Sequence, residues 1–430
     1  MNTAPRFLPD LPEEKLSRIQ LDGLRWTVGQ AMRNPVYAAR LKNAGIEAPE
    51  DITSLADLRR LPFTTVEDLR DGYPLPLLCV PEEEIVRVHA SSGTTGKRKI
   101  LAYTANDVAT FGLQMARCYE LAGLTPADRI QIAVGYGLWT AGAGFQAGSE
   151  LFGAMTVPVG PGNLDMQLQL LKDLHITCIG CTASMALLLA EEVERHNLRG
   201  ELSLKKIIFG SEPHSLKMRQ SFTEKLGVQG TYDIAGMTEM YGPGTGLNCE
   251  VGQGIHYWAD LFIHEVVDPH TLEPVPDGEV GELVVTSLRK EAVPLIRYRT
   301  HDLTRLIPEP CPCGRCIPRH GHIRGRSDDM IIYRGVNIYP GQLVDVLNQF
   351  HDVGGEYHVK LTRSEGLDYM NLQVERASGV SSDNDAGLAR EVSMELHRRI
   401  MARINVEIVD PGTLPRAFGK SKRVTDNRLD

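Results

Sequence analysis

Apolar positions change period several times along the chain. From Glu13 to Met32, Leu16, Ile19, Leu24 and Val28 recur at helical spacing. Residues 10–75 read as helical and mixed, with Thr64-Thr65-Val66-Glu67 offering an N-cap and an acidic first turn. Val86, Val88 and Ala90 then alternate, as do Ile100 and Ala102, so two strands flank the stretch between them. From 105 to 236 helix and strand take turns. The pattern predicts helices over 107–121, 165–175, 184–197 and 215–226, and strands over 129–134, 176–181, 206–209 and 231–235. Such alternation predicts a parallel sheet covered by helices, with ligands outside the carboxyl ends of its strands. Residues 260–307 read as all-β, with strands over 262–267, 281–286 and 303–307 separated by turns such as Asp268-Pro269 and Pro276-Asp277-Gly278.

After Gly325-Arg326-Ser327-Asp328-Asp329 the pattern restarts: strand 330–333, helix 341–350, strands 357–362 and 369–375, helix 388–404, strand 406–409. The stretch 377–385 is polar and reads as a mobile loop. The expected class is α/β. A large N-terminal domain, 1–326, carries parallel or mixed sheets flanked by helices plus a β-rich subdomain, and a small α+β domain occupies 327–430.

The segment between the two alternating flanks is Ser91-Ser92-Gly93-Thr94-Thr95-Gly96-Lys97. Glycines admit close backbone approach, successive N–H groups form an anion-binding nest, hydroxyls donate, and Lys97 adds a point charge. That chemistry suits a polyphosphate. The loop is not a Walker A motif, because Ser91 stands where Gly is required and Arg98 follows Lys97.

Composition narrows the options. Apolar content of 42% and charged content of 23% describe an ordinary globular chain, and a net charge of −9 opposes nucleic-acid binding. No uncharged apolar run reaches transmembrane length, and residues 1–6 lead into acidic helical sequence with no signal region, so a cytoplasmic location away from membranes is expected. Eight cysteines in such a chain are expected to be free, yet three crowd into Cys311-Pro312-Cys313-Gly314-Arg315-Cys316.

Several ordered motifs extend the argument: Gly135-Tyr136-Gly137-Leu138-Trp139-Thr140, Tyr232 through Glu239, Arg297 through Asp302, Gly325 through Met330, Arg334 through Asn337, and Pro415 through Lys420. Together with the opening loop they resemble the adenylate-forming superfamily, and more closely the phenylacetate–coenzyme A ligase family. The resemblance implies two half-reactions. A carboxylate attacks the α-phosphorus of ATP to give acyl-adenylate and pyrophosphate, and the thiol of coenzyme A then displaces AMP.

Roles follow by position. The loop 91–97 would hold the β- and γ-phosphates. Glu239 would bind Mg²⁺ and Thr238 would contact the α-phosphate. Asp302 would accept from the ribose hydroxyls. Ser211, Glu212 and Pro213 with Tyr232 and Asp233 would form the adenine slot, and Arg326 would reach ribose or phosphate. Lys420 would bridge the substrate carboxylate and the α-phosphate, with Lys422 as an alternative. Asp328 would be the hinge of a mobile C-terminal domain, and Arg334-Gly335-Val336-Asn337 would face the thioester-forming site. A homodimer is expected by the same resemblance.

The resemblance also implies a structural zinc on Cys249, His256, Cys311 and Cys313. On residues alone Cys316, His320 and His322 compete, and free thiols in a Pro/Gly loop are a further reading. Tyr136, Gly137, Trp139, Ala235 and Gly236 would line an acyl pocket suited to an aromatic acid. Phenylacetate leads, with indoleacetate, benzoate-type acids and short hydroxy acids open. Adenylation of a deazaflavin cofactor or loading of a carrier protein, both without coenzyme A, and a nucleotide-binding regulator without turnover, are competing functions.

Overall fold

The computed structural model describes residues 6–91, 98–212, 214–364, 367–415 and 423–428. The chain forms two compact units, one of residues 1–160, 177–180 and 232–322, the other of 161–176, 181–231 and 323–430.

The first unit opens with the amphipathic helix Glu13–Ala31, which buries Leu24 and Val28. The strands Arg87–Ala90 and Ile100–Tyr103 then pair antiparallel, Ala90 opposite Ile100. Thr104 caps the helix Ala105–Leu121, and its box partner Asp107 is buried, where it also accepts from the backbone N–H of Glu291 and Ala292. The strand Arg129–Ala133 pairs in parallel with Met155–Val157. Gly230–Met237 is followed antiparallel by Gly242–Leu247, Ile255–Tyr257, Arg319–His320 and Leu306–Ile307. A separate antiparallel sheet runs Phe262–Val267, Gly281–Ser287, Tyr298–Thr304.

The second unit contains the helices Leu164–Asp173, Ala183–Arg195 and Leu216–Leu226 and the strand Lys206–Gly210. Its C-terminal part is α+β. The long hairpin Val353–Ser364 and Leu367–Arg376 is flanked in parallel by Val424–Asn427 on one side and Asn405–Val409 on the other. The helices Pro340–Leu347 and Asp385–Ile400 supply Leu343, Val346, Val392 and Leu396 to a core shared with Val359, Leu372 and Val374.

Four local expectations change. The helix Thr140–Phe152 was not foreseen, because Gly142, Gly144 and Gly148 each cost about 1 kcal/mol of helix propensity. Packing overrides that cost: a Cβ at Gly144 would lie 2.5 Å from Pro243 Cγ, and one at Gly148 2.2 Å from Met115 Cβ. The strand expected over 303–307 is instead Tyr298–Thr304 and Leu306–Ile307, broken at Arg305, so Asp302 lies within a strand. The last helix stops at Ile400, where Met401 turns left-handed at φ 59° and leaves Ile404 to pack below it. The polar stretch 377–385 is pinned at both ends: Arg376 pairs with Asp385 and Asp410, and Ala377 N–H donates to Asp352 O.

Candidate active site

The phosphate-type segment sits on the hairpin. Ser91 N–H donates to Lys99 O at 3.2 Å, which closes the two strands around the loop. Ser92, Gly93, Thr94, Thr95, Gly96 and Lys97 lie outside the described residues.

Glu239 forms a buried ion pair with Lys99 in the first unit. It stands in the short turn Thr238–Met240 at the end of the strand Gly230–Met237 and is buried. Burial pushes its carboxyl up, but the Lys99 ammonium at 2.5 Å and the Tyr298 hydroxyl at 3.2 Å outweigh that and hold it below its ordinary value of 4.5. The carboxylate is therefore held ionised, the form in which an oxygen donor can take a hard cation. Lys99 was missed in the sequence, although it ends the Lys97-Arg98-Lys99 run and immediately precedes the return strand. Thr238 is buried beside it, its hydroxyl 3.3 Å from that of Thr140, and Tyr103 OH donates to Thr238 O at 2.8 Å. A second unforeseen cation, Lys290, is fully buried 5.4 Å from the Tyr103 ring centre and 5.6 Å from that of Tyr241. Burial pushes it down to about 8, against the opposing fields of Asp107 and Glu239.

The Tyr136–Trp139 segment turns between the strand Arg129–Ala133 and the helix Thr140–Phe152, with Gly137 at φ 87°. The Tyr136 ring lies over Gly142, and Trp139 over Gly135. Leu138 O ties the turn to the hairpin by accepting from Ala90 N–H at 2.8 Å and from His89 Nδ1 at 3.2 Å. Ala235 pairs with Gly246, and a bulge follows before Gly236 opposite Pro243. Tyr232 and Asp233 precede them. Asp233 is buried and its carboxylate meets His322 Nδ1 at 2.9 Å. Asp302 N–H donates to Thr300 Oγ1 within its strand.

In the second unit, Glu212 accepts from Ser184 N–H at 2.6 Å at the start of the helix Ala183–Arg195, a favourable place for a carboxylate. Its neighbour Ser211 has a left-handed backbone, φ 71°, and Pro213 lies outside the described residues. Arg326 grips Asp328 in a two-point pair, 2.7 Å at each nitrogen, so the expected nucleotide contact and the expected hinge are bonded to each other. Arg334 stacks 5.4 Å from the rings of Tyr333 and Tyr369 and starts a turn through Gly335 that leads to the strand Val336–Ile338, which includes Asn337. Lys420 and Lys422 lie outside the described residues.

Of the cysteine and histidine candidates, the structure gathers Cys249, His256, Cys311 and Cys313, their donor atoms all within 4.8 Å of one another. Cys249 Sγ is 3.7 Å from Cys311 Sγ, and Cys313 Sγ is 3.5 Å from His256 Nε2. Tetrahedral zinc with bonds of about 2.3 Å to sulfur spaces its sulfurs about 3.7 Å apart. His256 Nδ1 is 2.8 Å from Ile317 O, which fixes the tautomer with Nε2 free to ligate. The donor set therefore fits zinc. Cys316 is exposed, His320 Nδ1 donates to Gly321 O, and His322 serves Asp233, so none of the three joins the cluster. None of the eight cysteines is in a disulfide.

A buried carboxylate paired with a cation lies beside the hairpin Arg87–Tyr103, the C-terminal part is α+β, and comparison with known proteins shows the class: an adenylate-forming enzyme. The profile described as AMP-binding enzyme matches residues 12–288, that of the AMP-binding enzyme C-terminal domain matches 335–428, and the chain belongs to this family. The phenylacetate-coenzyme A ligase of Escherichia coli (strain K12) is 40% identical over 425 residues, covering 96% of this chain and 95% of that protein. The protein of the same name from Thermus thermophilus is 42% identical over 440 residues, 98% of each. Among solved structures, 2-hydroxyisobutyryl-CoA ligase in the postadenylation state superposes with a TM-score of 0.88 at 28% identity, covering 99% of this chain and 94% of that one. Among the described residues no helix is long and apolar enough to cross a membrane.

Proposed function

We propose that the chain joins phenylacetate to coenzyme A in an ATP-dependent, AMP-forming reaction through phenylacetyl-adenylate. The observation that carries this reading is the 39–42% identity to phenylacetate-coenzyme A ligases over nearly the whole chain. In the first half-reaction a substrate carboxylate oxygen bonds to the α-phosphorus and the bond to pyrophosphate breaks. In the second the coenzyme A sulfur bonds to the acyl carbon, the bond to AMP breaks, and the thiol proton leaves to solvent. Both steps need charge neutralised and groups aligned, so the chain works by positioning and electrostatics.

Residues 91–97 bind the β- and γ-phosphates, Thr238 contacts the α-phosphate, Asp302 takes the ribose, and Ser211, Tyr232 and Asp233 flank the adenine. Lys420 bridges the two reacting anions, the module from 327 onward moves about Asp328, and Tyr136, Trp139, Ala235 and Gly236 face the acyl group. Glu239 is the residue to hold Mg²⁺, which when bound neutralises phosphate charge. The buried, ionised state of that carboxylate beside the Lys99 ammonium supports this assignment. Cys249, His256, Cys311 and Cys313 hold a structural zinc that staples the β-region, supported by their tetrahedral spacing. Cysteines outside any disulfide support a cytoplasmic setting, and a homodimer is the expected assembly by resemblance.

The high structural similarity to 2-hydroxyisobutyryl-CoA ligase favours a short hydroxy acid as the second reading. AMP formation with ATP, Mg²⁺ and coenzyme A, across phenylacetate, indoleacetate, benzoate and 2-hydroxyisobutyrate, separates the two. The highest kcat/KM is expected for phenylacetate. A maximum on the hydroxy acid would overturn that choice, and AMP release independent of coenzyme A would overturn the thioester step.

A further inference from the structure

Three positions after Lys420 in the sequence, the described chain resumes at a residue held by two carboxylates. Arg423 is buried, and its Nη2 donates to both Glu356 carboxylate oxygens at 3.0 and 3.2 Å. Its Nη1 lies 3.9 Å from Glu212 Oε2. Glu356 belongs to the strand Val353–Ser364 of the C-terminal part, whereas Glu212 follows the strand Lys206–Gly210, and both lie in the second unit. Two more contacts join the same segments. Lys217 Nζ donates to Val353 O at 2.9 Å. Gly355 rests on the first turn of the helix Leu216–Leu226, where an added Cβ would lie 2.8 Å from Met218 Cβ and 2.9 Å from its Cα.

These features share one logic. A buried guanidinium is tolerated only where carboxylates meet it in good geometry, and here one comes from each segment. A glycine against another backbone fixes a separation that no side chain permits. Arg423 also anchors the terminal strand, since Val359 N–H donates to Arg423 O at 2.8 Å and Val424 pairs with Val359. Three peptide units tether Lys420 to this anchor, a reach of about 10 Å.

We propose that Arg423 is a positioning residue for the adenylation half-reaction. Clamped by Glu356 and Glu212, with Gly355 seated on Met218, it fixes the docked placement from which Lys420 acts. The inference rests on Lys420 being the adenylation group. Thioester formation does not use Lys420, so the clamp matters to one half-reaction and not to the other.

Pyrophosphate–ATP exchange with phenylacetate reads the first half-reaction. Coenzyme A-dependent AMP release from synthetic phenylacetyl-adenylate reads the second. Arg423→Ala and Gly355→Val are each expected to slow exchange about 100-fold and to change the second rate less than about threefold. Arg423→Lys, which keeps the charge, should regain about tenfold of the lost exchange. Gly355→Val removes no charge and has its circular dichroism compared with wild type, so it decides the matter should Arg423→Ala not fold. Equal losses in both half-reactions, unchanged exchange in folded Gly355→Val, or Arg423→Lys no better than Arg423→Ala would each overturn the proposal. Absence of exchange in the wild type with every acid offered would instead overturn the adenylation reading itself, and the clamp with it.

Discussion

The first unit holds two buried clusters of ligating groups, and they are built on opposite plans. At Glu239 the carboxylate is already neutralised, by the Lys99 ammonium at 2.5 Å and the Tyr298 hydroxyl. At Cys249, His256, Cys311 and Cys313 four donors converge on one another at the spacing a tetrahedral ion sets. A compensated site needs no resident ion to be stable, which suits a ligand that comes and goes in a catalytic cycle. A convergent donor set is completed only by a resident ion, which suits a staple. The two clusters should therefore fail in different ways.

The largest effect expected is on the staple. Cys311→Ser, or zinc extraction, should cost about 4 kcal/mol of stability and abolish stoichiometric zinc in elemental analysis, while the folded fraction keeps its turnover. A chain that purifies free of zinc with unchanged thermal stability would break the comparison. Glu239→Gln should act mainly on turnover, lowering kcat by about 10²- to 10³-fold, with a smaller loss of stability because it leaves the Lys99 ammonium without its carboxylate. Lys99→Met falls between them. It strands a buried carboxylate and should cost about 3 kcal/mol in the ligand-free protein, less with Mg·ATP bound, as paired melts would show.

Acid sharpens the same point. Glu239 lies below its ordinary 4.5 in the folded chain, so the pair stabilises the fold above that pH and the contribution is lost as pH falls through the folded value. In Lys99→Met burial acts without that ammonium and pushes the carboxyl up, so the stability deficit against wild type should be largest near neutral pH and shrink as acid protonates Glu239. Trp139→Ala should have the smallest effect, a rise of about three- to tenfold in KM for phenylacetate with kcat little changed.

What the sequence reveals divides along physical lines. Helix and strand alternation is legible because one face of each element is buried, and the hairpin around 91–97 follows from Val88 and Ala90 alternating into Ile100 and Ala102. The helix Thr140–Phe152 is illegible because its glycines serve close packing against Pro243 and Met115, a tertiary requirement that reads locally as a loop. The strand Gly242–Leu247 is hidden for the same reason: a Cβ at Gly246 would meet His256 O at 2.4 Å. At the site, motif residues such as Glu239 announce themselves, but their partners do not. Lys99 looks like one more surface cation, and Tyr298 is 59 positions away in sequence. Spacing alone left Cys316, His320 and His322 level with the four residues that converge, because only the fold brings Cys249 and His256 to Cys311 and Cys313.

The most direct test of the mixed-anhydride route follows an oxygen atom. Phenylacetate labelled with ¹⁸O in both carboxylate positions is turned over with ATP, Mg²⁺ and coenzyme A, and the products are weighed by mass spectrometry. The account predicts one ¹⁸O in the phosphate of AMP, none in pyrophosphate, and the other in the thioester carbonyl. Label appearing in inorganic phosphate, with ADP as the nucleotide product, would contradict it.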